Sequence, residues 1–370
     1  MGWLSRLFGR RGERGAAEVP PRASAARAPA PTNGVGEPER GGVQKDPPLP
    51  EGAGTGERAD PFETIWAAMN EGPSESPAPG PEADAVAELA PMLLEHFRWN
   101  RPDPASFPSM AVRVIDEVEK PDVEMNRLVQ IIGQDPAISA KILRVANSVL
   151  YYHGTEVEDI RGAIMKIGMR EVGQIAGGVA GRSLFDMEVR AEFDLFKQRW
   201  NDLFHNSMTV AFGAGALAME RSIGRSDRAF LAGMFHDIGK SIALRSLTRL
   251  IINGELEAEM KPPLVDALIE AVHVEIGGEM HDTWKMPQYL TVIAKRHHEP
   301  IVPPGPELAE LHMVRVVSTL NDLRLGVAAE GSLSILQQSA EALKLDRYRL
   351  RSIFTRLDEH ADRVTKLFAA

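Results

Sequence analysis

The sequence predicts an all-α protein, on three observations. From about Asp84 to the end, apolar residues recur at spacings of three and four, as in VEMNRLVQIIGQ, AISAKILRVANSVL and AEALKLDRYRLRSIFTRL. That is the period of a helix with one buried face. Gly and Pro fall between these runs as stops. No stretch alternates as a half-buried strand would, and no fixed-period repeat appears. The body is expected to hold about a dozen helices.

In chain order, residues 1–57 are rich in Gly, Pro, Ala, Arg and Glu, with almost no large apolar side chains after Phe8. Such an arm cannot bury enough surface to offset its ordering entropy and is expected to be disordered. Its start, MGWLSRLFGRRGER, differs. Trp3, Leu4, Leu7 and Phe8 would share one helical face, with Arg6, Arg10, Arg11 and Arg14 around it. The pattern admits a weak membrane-surface helix, against a frayed tail or a small docking helix. It lacks the apolar core and cleavage site of a signal peptide. Residues 58–83 hold a short amphipathic helix, DPFETIWAAMN, and the linker GPSESPAPGPEAD. Asp60 is its expected N-cap and Pro61 its first-turn residue.

Residues 84–300 are expected to form the main domain, with a leading helical subdomain to about 197, and residues 301–370 a helical extension completing the core. Asp135 and Pro136 open one helix. Arg144, Asn147 and Ser148 sit on its otherwise apolar face, either against a ligand or, more simply, finishing the helix. GQIAGGVAGRSLF suits close helix packing and lacks the lysine of a phosphate-binding loop. The last run places Leu350, Ile353, Phe354 and Leu357 on one face. Its arginines read as a solvated face rather than a nucleic-acid contact, and dimerisation through it is an open alternative.

The formal charge of −10 argues against nonspecific nucleic-acid binding by the whole chain. There is no cysteine, so disulfides and thiolate metal sites are excluded and any metal must be held by His, Asp and Glu. This composition fits a cytoplasmic protein. No run of about 18 apolar residues suggests a membrane span.

The stretch FHDIGKS, Phe235 to Ser241, raises the functional question. It follows the apolar run AFLAGM, yet carries His236, Asp237 and Lys240. Buried imidazoles and carboxylates are costly without partners. Four further helical runs each bring similar groups into apolar surroundings: His205, His273, the pair His297–His298 before Pro300, and Asp322. One such histidine is usually a satisfied core residue. Five helices bearing them together fit a metal site in a helical bundle. His and Asp donors suit Fe, Mn, Zn, Co or Ni.

A histidine, then HD, then later histidines and a final Asp resembles the HD metal-dependent phosphohydrolase superfamily. The stretch FPSMAVRVIDEVEKPDVEMNRLVQIIGQDPAISAKILRVANSVLYY, followed by DIRGAIMKIGMREVGQIA, resembles the N-terminal half of an HDOD domain, with DPAISAKILRVANS its most specific part. The resemblance covers about residues 98–300 and the helix with Asp322. It implies an HD-like helical core after a helical subdomain. It also implies a first metal held by His205, His236, Asp237 and Asp322, and a second completed by His273, His297 and His298. Lys240 would face a substrate phosphate. Two metals bridged by Asp237 would activate water and polarise a phosphoryl oxygen. The related HD-GYP phosphodiesterases carry a GYP loop where this chain reads HHEPIVPPGPELAELH, which argues against cyclic dinucleotide hydrolysis.

Two functions are therefore expected from one centre. The first is an HDOD-type signalling protein that binds one or two divalent metals, together with a nucleotide or phosphoester, and acts on a protein partner. The alternative is a metal-dependent phosphohydrolase or phosphodiesterase. A third reading keeps the histidines as a metal-free structural cluster. Oligomeric state is left open.

Overall fold

The structure, a computed structural model, describes residues 60–70 and 82–368 apart from 102–112, 115–116, 119, 121, 149–150, 152–155, 186–189, 258–259, 306–307 and 330. The N-terminal arm with its arginine-flanked apolar face, and most of the Pro/Ser linker, lie outside the described residues. Among the described residues the regular structure is helical, with no strand, as the apolar period predicts. No described helix is long and apolar enough to cross a membrane.

Helix α1 (Pro61–Asn70) is the predicted short helix. Asp60 caps it, its Oδ1 accepting from the Phe62 N–H at 3.0 Å. Phe62, Ile65 and Met69 form its buried face. They pack against α14 (Ser332–Ala342) and α15 (Arg347–Phe368), Phe62 meeting the Phe354 ring at 5.8 Å. Arg347 and Arg351 of α15 pair with Glu63, and Arg351 with Asp60 as well. Arg356 and Arg363 pair with Glu220 and Glu171. Much of the arginine face read as solvated therefore ties α15 to other helices.

Helix α2 (Ala83–Trp99) does not join the leading subdomain. It packs on α10 (Ile238–Ile252) and α11 (Pro262–Thr283), with Arg98 paired to Glu275 and Glu279. The leading group comprises α3 (Met125–Ile132), α4 (Pro136–Ala146), α5 (Ile160–Ile167) and α6 (Met169–Phe185). Asp135 caps α4 through the Ile138 N–H at 3.0 Å. Ser148 bonds back to the Val145 carbonyl, and Asn147 makes a reciprocal pair with the Val157 backbone. Both are occupied structurally. In α6, Gly177 and Gly178 lie against Leu231 and Phe368, so the small residues serve close packing.

The short α7 (Arg190–Leu195) leads into α8 (Lys197–Arg221), which runs through the core beside α9 (Ser226–Phe235). Gly233 permits that approach: a Cβ there would lie 2.7 Å from the Ala211 Cα. Helices α12 (Gln288–Arg296) and α13 (Ala309–Leu325) complete the core, α13 packing on α8, α9 and α14. One expected helical run is broken. AEALKLDRYRL is not continuous: α14 stops at Ala342, Lys344 turns left-handed at φ 54°, and α15 starts at Arg347. The apolar period survives this turn, so periodicity alone could not show it.

Candidate metal centre

His236 and Asp237 lie in a break between helices rather than on one. α9 ends at Phe235, His236 and Asp237 form the turn, and α10 starts at Ile238. The break presents both side chains at one point of the core. His273 comes from the middle of α11, and His297 and His298 follow the last turn of α12. Ligand atoms of Asp237, His273, His297 and His298 all lie within 4.8 Å of one another.

Backbone carbonyls fix how three of the rings face. His236 Nδ1 is 2.8 Å from the Gly233 oxygen, His273 Nδ1 is 2.8 Å from the Glu270 oxygen, and His297 Nδ1 is 3.0 Å from the Ala294 oxygen. A carbonyl can only accept, so each Nδ1 carries the proton. In the neutral ring each Nε2 then presents a lone pair. Those Nε2 atoms lie 3.5, 3.5 and 3.1 Å from the Asp237 oxygens. The Nε2 atoms of His236, His273 and His298 are buried without a hydrogen-bond partner.

The protonation states follow from burial and charge. Burial holds His236 down to about 4, His273 to about 3 and His298 to about 3. Burial alone would raise the Asp237 carboxyl, but His236, Lys240, His297 and His273 reverse this and hold it well below its ordinary value. Near neutral pH, the unprotonated Nε2 atoms of His236 and His273 therefore face an ionised carboxylate, while His297 Nε2 lies within hydrogen-bond distance of it. Lone pairs directed at a carboxylate repel unless a cation lies between them, and neutral His with ionised Asp is the ligand form of both groups. Nδ1–H bonded to a carbonyl is also how metal-ligating histidines are oriented. The residues fit a divalent metal.

Lys240, on the first turn of α10, reaches Asp237 Oδ2 at 2.9 Å and Glu270 Oε2 at 3.1 Å. Burial opposes its charge, but Asp237, Glu270 and Asp322 together raise its pKa. Asp322 of α13 is pushed up to about 7, chiefly by burial. His205 stands apart from the four-residue group. It lines the same cavity, but its Nε2 lies 3.1 Å from the Thr365 hydroxyl of α15. The cavity, about 1100 Å³, is also lined by His236, Asp237, Lys240, His298 and Asp322.

Glu270 was not among the predicted residues. It sits one turn before His273, accepts from Lys240, and lies 3.5 Å from His298 Nε2. The i,i+3 spacing in EAVH is the signal that marks it. His281, on the same helix, is also buried. Its Nε2–H donates to the Phe235 carbonyl at 3.2 Å, tying α11 to the residue before His236.

Burial holds the His281 ring down to about 4, from an ordinary 6.5. Between those values the unfolded chain binds a proton that the folded chain does not, so stability falls as pH drops through that window. The metal-free protein is expected to lose thermal stability from pH 7 to pH 5. His281→Gln, which keeps a donor for Phe235 without titrating, should flatten that slope by roughly 1–2 kcal/mol. Equal slopes in the two proteins would contradict this.

The HDOD domain family model matches residues 105–300. An uncharacterized protein of Treponema pallidum is 27% identical over 215 residues, which cover 55% of this chain and 39% of that one. A ribonuclease Y of Acholeplasma laidlawii is 29% identical over 165 residues, covering 44% of this chain and 23% of that one. The chain thus spans well under half the length of these two curated relatives. A crystal structure of an HDOD domain protein of unknown function from Geobacter sulfurreducens matches with a TM-score of 0.56 at 19% identity, over 77% of this chain and all (100%) of that one. At that identity the likeness concerns the fold.

Proposed function

The chain belongs to the HDOD domain family, and from that premise we propose that it is a regulatory protein whose His/Asp centre holds one or two divalent metal ions and relays a ligand- or partner-dependent state. The observation that carries the metal is the convergence of the His236 and His273 Nε2 lone pairs, each with its Nδ1 held by a carbonyl, on Asp237. Asp237, His273, His297 and His298 would hold one ion, with His236 beside them. This donor set suits Mn, Fe, Co, Ni or Zn. A bound ion would supply Lewis-acid polarisation of a phosphoryl oxygen. The neighbouring cavity is large enough for a nucleotide, and Lys240 adds a cation at its wall. A protein partner and a cytoplasmic setting belong to the same proposal.

The open cavity beside an intact donor set supports a second reading, a metal-dependent phosphohydrolase or phosphodiesterase. The name of the Acholeplasma relative, a ribonuclease, is in keeping with it. The segment after His298, EPIVPPGP, without a GYP loop, weighs toward the regulatory reading.

The test incubates Mn(II)-loaded protein with nucleotides, cyclic dinucleotides and short RNA, and follows binding and product together. Saturable binding without product is expected. Turnover that disappears in the His236→Ala, Asp237→Ala double variant would replace the regulatory reading with the enzymatic one.

A further inference from the structure

We propose that Arg315 and His312 are positioning residues that clamp the strap after the paired histidines, residues 299–303, and thereby hold His297 and His298 against Asp237. The purpose assigned to the clamp rests on the metal reading above.

Arg315 and His312 lie one turn apart on α13, and each is only 1% exposed. Arg315 Nη2 donates to the Glu299 carbonyl at 2.8 Å, on the residue directly after His298. His312 Nε2 donates to the Pro303 carbonyl at 3.2 Å. That fixes its tautomer, so Nδ1 accepts from the Ser339 hydroxyl of α14, 3.2 Å away. Between these points the Val302 N–H donates to Gln338 Oε1 at 3.0 Å. The strap contains Pro300 and Pro303, which offer no N–H of their own. Its path is therefore set by side chains of α13 and α14.

Arg315 is an expensive way to make one hydrogen bond. Its Nε and Nη1 are buried without a partner. The Glu299 carboxylate is engaged by Arg296 at 2.7 Å. Among the described residues no carboxylate pairs with Arg315. A buried charge so poorly paired adds little stability, and an apolar side chain of similar length is often tolerated as well or better. What the guanidinium supplies is its hold on the carbonyl next to His298, at the wall of the cavity that it helps to line.

The experiment compares wild type with Arg315→Met and Arg315→Lys in the full chain. Three quantities are read: amide hydrogen exchange at residues 297–302 without metal, the thermal midpoint, and Mn(II) affinity by calorimetry. In Arg315→Met, exchange should rise about tenfold or more at those amides. The midpoint should hold or rise, and the Mn(II) Kd should rise about 10–100-fold. Arg315→Lys, which can still donate to the carbonyl, should recover part of both losses. A merely structural arginine would lower the midpoint and leave the strap's exchange in step with the rest of the core. That pattern, or unchanged exchange at 297–302, would overturn the proposal. If Arg315→Met does not fold, Arg315→Lys and His312→Leu carry the test, the latter through faster exchange at Ile301 and Val302. Failure of the metal reading looks different: the wild type itself takes up no Mn(II), and exchange alone then decides the clamp.

Discussion

Gly239→Ala is expected to destabilise the protein by about 3 kcal/mol or more and to abolish metal binding. Gly239 is the second residue of α10, two after Asp237. A Cβ placed there would lie 1.9 Å from the His273 carbonyl oxygen and 2.7 Å from the Gly277 nitrogen. Both are backbone atoms of α11 and cannot rotate away. The helices would have to part, and His273 would leave Asp237. At about 2–4 °C per kcal/mol for a body of this size, the thermal midpoint should fall by roughly 6–12 °C. Gly277→Ala is the control, because its Cβ would meet Gly239 at an ordinary 3.4–3.5 Å. It should cost less than about 1 kcal/mol. Equal midpoints for the two variants would contradict this account of why the HD turn is followed by a glycine.

Asp237→Ala should cost the metal-free protein about 2–4 kcal/mol at neutral pH. The carboxylate is the partner of the buried Lys240 at 2.9 Å and lies within hydrogen-bond distance of His297 Nε2. Without it, Lys240 keeps only Glu270, at 3.1 Å. Adding Lys240→Met should recover at least half of the loss, since the two sites are in contact and their effects are not additive. Denaturant unfolding of the four proteins in the cycle measures this. Additive losses would mean that Lys240 is not held through Asp237. Neither variant should regain metal, because the missing carboxylate is the ligand at the centre of the group.

The HD dipeptide and the later histidines stand out in sequence because each interrupts an apolar helical run, and burying such groups demands partners. Asp60 and Asp135 were readable as caps because capping is local. His205 meets the same sequence criterion and lines the same cavity, and the contact of its Nε2 with Thr365, 160 residues away on α15, is one that no local pattern announces. Helical periodicity gives the face a residue occupies, not which helix covers that face. The same limit hid α1 docking on α14 and α15, and α2 joining the core. A glutamate on a helix is ordinarily solvated, so only its spacing from His273 distinguishes Glu270 in the sequence. The break at His236–Asp237 has no signature in the sequence, because the apolar pattern runs on through FHDIGKSIAL.

The most direct test of the central claim is the metal content of tag-free protein purified without chelator, read beside the His236→Ala, Asp237→Ala double variant. The account predicts one or two divalent ions per chain in the wild type, either as isolated or after Mn(II) or Fe(II) is added, and none in the variant. A wild type that takes up no metal under these conditions would contradict it, and the buried histidines would then be a structural cluster.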